Sequence, residues 1–245
     1  MSGWPRTIAL LTLVAAAVAA ADASAAELPP STPPGTVRLS NETTTTLWAH
    51  TADVQPVFSR PSGAAPGVTR LRLLTEDSFP EVYVVLSRWK NEAGNTWLKI
   101  RLPMRPNGRT GWVREGALGP LHTVHTQLRV NRHTLRATLY DHGRKRFSAR
   151  IGVGKAATPT PYGRFWIREK FRVRGNTIYG TRAIGTSAYA PTLSDWPGGG
   201  VVGLHGTNQP GLIPGRPSHG CIRLRNRDIE RLYRLAPTGT PIEIV

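Results

Sequence analysis

One thiol and two imidazoles are the residues best placed to do chemistry. Cys221 is the only cysteine of the 245-residue chain and lies in Pro217-Ser218-His219-Gly220-Cys221-Ile222-Arg223. His205 stands sixteen positions earlier and opens the segment His205-Gly206-Thr207-Asn208. A thiol at its ordinary pKa of about 8.5 is only partly ionised at neutral pH. A neighbouring imidazole that takes its proton turns it into a nucleophile. His219 is two residues from Cys221, so the two side chains share a face if the segment is extended. The residues alone leave the choice of base open between His205 and His219. Gly220 lets the backbone take a tight path before the nucleophile. The N–H groups around Gly220 and Cys221 are candidates to face a developing oxyanion, a role worth about 3 kcal/mol per donor. Arg223 is a candidate to grip a substrate carboxylate through both guanidinium nitrogens.

Other chemistries fit less well. Zinc would need a fourth ligand beside Cys221, His219 and His205. The sequence holds no Cys-x-x-Cys or His-Glu-x-x-His pattern, and His50, His122, His125, His133 and His142 are scattered. Gly152-Val153-Gly154-Lys155 imitates part of a phosphate loop, but Ala156 stands where Ser or Thr is required. Lys155 is expected at a strand end near the cleft. The order argues against a papain-like protease, because Cys221 follows His205 and lies near the C-terminus. A non-catalytic wall-binding protein is the alternative from a different class, and the Cys221, His205 and His219 set argues against it.

The elements that must carry these residues follow an export pattern. Residues 1–26 read as a signal sequence: Arg6, an apolar run from Ile8 to Ala21, then Ala23-Ser24-Ala25. The expected location is therefore the periplasm or cell wall. Residues 27–46 are rich in Pro, Ser and Thr and read as a tether. A single cysteine leaves no intramolecular disulfide and, in an exported protein, favours a thiol that is used. The formal charge of +17 points to polyanionic surroundings. No stacking platform or zinc-finger spacing accompanies the basic residues, so nucleic acid is not expected. Anionic cell-wall polymers fit an exported chain better. Oligomeric state is left open.

The fold class expected is mostly β. Residues 47–118 carry short runs such as Val82 to Leu86 and Thr96 to Leu102, separated by turn residues such as Asn107-Gly108. Trp97-Leu98-Lys99-Ile100 and Gly111-Trp112-Val113-Arg114 resemble a bacterial SH3-like domain, which implies a small barrel with a wall-binding or positioning role. Trp89, Trp97 and Trp112 are expected mostly to fill its core. Gly116 to Leu121 marks a boundary. Beyond it, Gln127 to Val130, Thr134 to Tyr140, Lys145 to Val153 and Tyr162 to Phe171 read as strands, with a hairpin turn at His142-Gly143. One helix is expected from Asn226 as cap, with Ile229, Leu232, Tyr233 and Ala236 on one face. Asp228 suits its first turn, and Pro237 and Gly239 end it. Pro241 to Val245 is a last strand.

The segment His205-Gly206-Thr207-Asn208 followed by Ser218-His219-Gly220-Cys221-Ile222-Arg223 resembles the catalytic signature of the YkuD-like L,D-transpeptidases. Gly154-Lys155 with Thr158-Pro159-Thr160-Pro161-Tyr162-Gly163-Arg164-Phe165 matches a second stretch of that family. The resemblance covers residues 123–245. It implies a mainly β catalytic domain with Cys221 as nucleophile and His205 as general base. Gly206 would offer the carbonyl that orients the imidazole. His219, Gly220 and Cys221 would help form the oxyanion site. Ser218, Arg223, Lys155, Thr207 and Asn208 are the candidate substrate-binding residues. The implied partners are peptidoglycan stem peptides, with carbapenem-type inhibitors as acylating agents and no metal or organic cofactor. The implied reaction releases the terminal D-alanine and forms a 3→3 cross-link. Water or a protein amine as acceptor would instead give carboxypeptidase or wall-anchoring activity.

Overall fold

The computed structural model describes residues 32–175, 177–194 and 197–245. The expected signal sequence and the start of the expected tether lie outside them. Among the described residues, no helix is long and apolar enough to cross a membrane.

The first sheet has eight strands. They are β1 (Val37–Arg38), β2 (Thr46–His50), β3 (Pro56–Phe58), β4 (Gly67–Arg70), β5 (Val82–Lys90), β6 (Thr96–Arg101), β7 (Thr110–Arg114) and β8 (His122–Val124). Their order is β4-β3-β7-β6-β5-β2-β8, with β1 added on β5. Val85, Leu98, Ile100 and Val113 form the centre of its core, and Trp97 and Trp112 are buried as expected. Among the described residues no ladder joins β4 to β8, so no closed SH3-like barrel is formed. Part of the expected tether is built into this sheet. β1 pairs with β5, and the buried Ser40 donates to the Val85 carbonyl while accepting from Leu47 N–H at 2.8 Å. The composition of this stretch hides the pairing, because its buried groups are polar and satisfied by backbone. β8 pairs with β2, so the first sheet runs to Val124, past the expected boundary.

The second sheet has ten strands. They are β9 (Thr126–Asn131), β10 (Arg136–Asp141), β11 (Arg144–Arg150), β12 (Gly152–Gly154), β13 (Gly163–Arg172), β14 (Arg182–Tyr189), β15 (Val201–His205), β16 (Gly215–Ser218), β17 (Ile222–Arg223) and β18 (Pro241–Ile244). Their order is β11-β10-β9-β18-β13-β14-β15-β17-β12-β16. His142 and Gly143 take φ of 49° and 74°, the left-handed pair that a two-residue hairpin requires. The expected strand from Lys145 to Val153 breaks at Ile151, whose N–H turns to the Leu135 carbonyl. β12 then leaves its hairpin and pairs with β16 and β17. α1 (Asn226–Leu235) buries Ile229 and Leu232. Asn226 is not its cap: Arg225 holds that position without a side-chain bond, and the Asn226 amide is used at the candidate site.

β13 lies between the two sheets, which explains five consecutive buried residues from Phe165 to Glu169. Phe165 and Ile167 enter the core of the second sheet. Trp166 and Arg168 face the first sheet, where Trp166 Nε1 donates to the Val82 carbonyl at 2.7 Å. The fully buried Arg168 side chain meets Glu81 at 2.5 Å and Glu76 at 2.9 Å. Burial by itself raises the Glu76 carboxyl, yet the Arg168 charge with bonds from Tyr189 and Arg72 holds it at about 2. A buried guanidinium without its carboxylate is costly. Glu81→Ala is therefore expected to cost about 3–5 kcal/mol in equilibrium urea unfolding; a loss below about 1 kcal/mol, as for an exposed pair, would contradict this docking.

Candidate active site

β15 and β17 run parallel, with Leu204 level with Ile222 and His205 level with Arg223. Leu204 and Ile222 are fully buried in the core. Side chains alternate along a strand, so Gly203, His205, Cys221 and Arg223 belong to the opposite face. This register pairs residues eighteen positions apart and sets Cys221 on the same face as His205. Gly203 N–H points at Cys221 Sγ from 3.5 Å. His205 and Cys221 both line two cavities, of about 170 Å³ and 450 Å³. The smaller is walled by Ala190, Leu193 and Val202, and the larger extends to Asp77 of the first sheet's β4–β5 connection.

The turn that carries the thiol is fixed by side-chain hydroxyls. Gly220 has φ of +125°, a region that favours glycine. Ser218 Oγ donates to the Cys221 carbonyl at 2.5 Å and accepts from Gly220 N–H at 3.2 Å. Thr160, fully buried, donates to the Gly220 carbonyl at 2.7 Å and accepts from Gly154 N–H at 2.9 Å. Gly154 is required there, because a Cβ would lie 2.2 Å from the Thr158 carbonyl. Lys155 N–H adds a 3.0 Å bond to the Ser218 carbonyl.

His205 is held from its other side. Its Nδ1 lies 2.6 Å from the Gly206 carbonyl, so Nδ1 carries the proton and Nε2 is the accepting nitrogen of the neutral ring. Thr207 N–H donates to Asn226 Oδ1 at 3.0 Å, tying this loop to α1. The Tyr179 ring meets the imidazole edge-on at 4.9 Å. Burial lowers the His205 pKa to about 4, with Arg223 adding to the effect and the Gly206 carbonyl opposing it. Burial raises the Cys221 thiol, while Gly203 N–H and the Arg223 charge pull the other way. Both shifts favour the uncharged forms of the thiol and the imidazole.

The expected site residues divide by position. Cys221, His205, His219, Ser218 and Arg223 line the smaller cavity. His219 is exposed at its rim. Ser218 is 1% exposed and uses its hydroxyl to shape the turn. The Gly220 amide donates to Ser218 Oγ at 3.2 Å. Thr207 is buried, and its hydroxyl accepts from Gln209 N–H at 3.0 Å. Asn208 and Lys155 are exposed and line neither cavity. Nothing in the sequence marks Tyr179 or Gly203, and Asn226 is marked there only as a helix cap; all three reach the site through the fold. Thr160 had a visible signal, a hydroxyl between two prolines in a stretch otherwise poor in partners.

The sequence has counterparts in known proteins. Residues 125–244 match the family model of the YkuD L,D-transpeptidase catalytic domain. Those residues are a YkuD-like L,D-transpeptidase catalytic domain. The YkuD protein of Bacillus subtilis is 33% identical over 120 residues, covering 49% of this chain and 65% of that one. Its counterpart in Bacillus licheniformis is 36% identical over 115 residues, covering 47% and 61%. The chain thus spans less than two thirds of the length of these relatives. A solved LD transpeptidase in complex with imipenem is similar at 18% identity over 68% of this chain and 74% of that one, with a TM-score of 0.40.

Two outcomes test this reading of the L,D-transpeptidase domain. Thr160→Val keeps the shape but removes the hydroxyl that joins Gly154 to Gly220. It is expected to destabilise the protein by about 1–3 kcal/mol and to slow alkylation of Cys221 by a small electrophile; unchanged alkylation would show that the turn holds without it. The depressed His205 pKa sets the sign of the pH response. The base is neutral, and therefore competent, above about 4 and protonated below it. The acid limb of kcat/KM should fall near pH 4, well under the ordinary histidine value near 6.5; an acid limb at the ordinary value would refute the neutral pair.

Proposed function

We propose that this protein is an exported cysteine acyltransferase that acts on peptidoglycan stem peptides. The observation that carries the reading is the shared face of Cys221 and His205 across β15 and β17. Each group then has one task. Cys221 Sγ attacks the carbonyl carbon of the third stem residue as His205 Nε2 takes the thiol proton. The tetrahedral oxyanion is met by backbone N–H groups of the His219 to Cys221 turn other than that of Gly220. His205 returns the proton to the departing D-alanine amine, leaving a thioester on Cys221. An amine from a second stem attacks that thioester and passes its proton through His205 to the sulfur, which restores the thiol. The product is a 3→3 cross-link.

Arg223 lies at the mouth of the smaller cavity with its Nη1 3.5 Å from Gln209 Oε1. That bond is weak enough to exchange for a substrate carboxylate. The same thioester would pass to water in an L,D-carboxypeptidase or to a protein amine in wall anchoring. Its sulfur would also open a carbapenem-type β-lactam. The basic surface suits anionic wall polymers, and the first sheet, though not a closed barrel, is suited to a positioning role.

Mass spectrometry of products from purified disaccharide-tetrapeptide tests the proposal. Wild type is expected to give cross-linked dimers with loss of D-alanine and a thioester on Cys221, and Cys221→Ala neither. Tripeptide alone would identify water as acceptor. Full product formation by Cys221→Ala would rule out the thioester route.

A further inference from the structure

The wall of the smaller cavity is held from the first sheet. Its residues Ala190 and Leu193 belong to the connection between β14 and β15, as does Gly200. The connection is closed at its neck by Ala190 N–H donating to the Gly200 carbonyl at 2.8 Å. Arg105, from the turn between β6 and β7, reaches into it. Its Nη1 donates to the Gly199 carbonyl at 2.9 Å, and its Nη2 to the carbonyls of Leu193 at 3.0 Å and Ala190 at 3.3 Å. A guanidinium can serve several acceptors at once because its donors lie in a rigid fork. Gly200, at φ +78°, fits around this grip: a Cβ there would lie 2.0 Å from the Leu193 carbonyl and 2.7 Å from Arg105 Nη2.

Asn107, two residues on, fixes the residue before the wall. Its Nδ2 donates to the Tyr189 carbonyl at 2.8 Å, and its Oδ1 accepts from Tyr189 N–H at 3.1 Å. The Arg105 guanidinium stacks 4.7 Å from the Tyr189 ring. The Tyr189 hydroxyl reaches Glu76 at 2.5 Å, inside the buried network that joins the sheets. Backbone, ring and following carbonyl of this strand end are therefore all anchored to the first sheet.

We propose that Arg105 and Asn107 are positioning residues of the acyl pocket, so that substrate seating beside Cys221 depends on the first sheet. This rests on the acyl-transfer reading above. A wall displaced by about 1 Å is enough to cost up to about 10²-fold in rate. A small electrophile does not use the wall and needs only the thiol and His205.

The test compares the full-length wild type with Arg105→Ala, Arg105→Lys and Asn107→Ala. For Arg105→Ala, kcat/KM with disaccharide-tetrapeptide is expected to fall by about 10- to 100-fold, mostly through KM. Alkylation of Cys221 by iodoacetamide should stay within about two-fold, because the thiol and its base are untouched. Arg105→Lys, a point charge without the fork, should recover only part of the loss. Arg109→Ala removes the same charge from the same turn and should leave kcat/KM unchanged. An equal loss there, or a parallel loss of alkylation in Arg105→Ala, would overturn the proposal. Unchanged kcat/KM in Arg105→Ala would also overturn it without touching the role of Cys221. If Arg105→Ala does not fold, Asn107→Ala carries the same expectation. If the wild type makes no product, acyl transfer itself fails. Amide exchange of Ala190 and Leu193 then reads the wall alone: faster exchange in the variants supports the clamp, and equal exchange rejects it.

Discussion

The contact between β15 and β17 is short, two paired residues on each strand, and the chemistry depends on it. Leu204 and Ile222 are fully buried on one side of this ladder, which pins the register. A slip of one residue would send Cys221 into the core and bring Ile222 to the cleft, because strand side chains alternate. Hydrophobic burial on the inner face therefore orients Cys221 and His205 on the outer face. The bond from Leu224 N–H to the His205 carbonyl, at 2.9 Å, carries the pairing one residue further and leads directly into α1.

Around that ladder, most polar groups act on backbone. Ser218 and Thr160 hold the turn before the thiol, the Gly206 carbonyl holds the imidazole, and Asn226 holds the loop that follows it. The cost of this enclosure is electrostatic. Removing the pair from water favours uncharged forms, which lowers His205 and raises Cys221. Arg223 opposes the second effect but reinforces the first. The enclosure therefore disfavours the charged form of both groups.

The sequence made the candidate site more legible than the architecture. Cys221 and His205 were visible because a lone thiol and a glycine-flanked histidine carry chemical signals in their types and spacing. The hairpin at His142-Gly143 and the apolar face of α1 were legible for the same reason, since local geometry constrains the residues allowed. The substrate-facing expectation for Thr207 and Ser218 met a fold that buries both, and their hydroxyls close loops instead. Asn226 looked like a helix cap because its type suits one, but the helix starts at it and its amide faces the Gly206-Thr207 loop. Such long-range uses leave no local trace. The same holds for the open first sheet: strand patterns do not encode whether the two outermost strands meet. Arg168 gave no hint of burial either, because its partners Glu81 and Glu76 lie in another sheet's connections.

The central claim is that the resting site holds an uncharged thiol beside an uncharged imidazole with its proton on Nδ1. Nitrogen-15 NMR of imidazole-labelled protein, followed from pH 4 to 8, reads this directly. The account predicts a neutral His205 ring at pH 7, protonated on Nδ1, that begins to charge only toward pH 4. A His205 imidazolium at pH 7, lost when Cys221 is replaced by alanine, would contradict it.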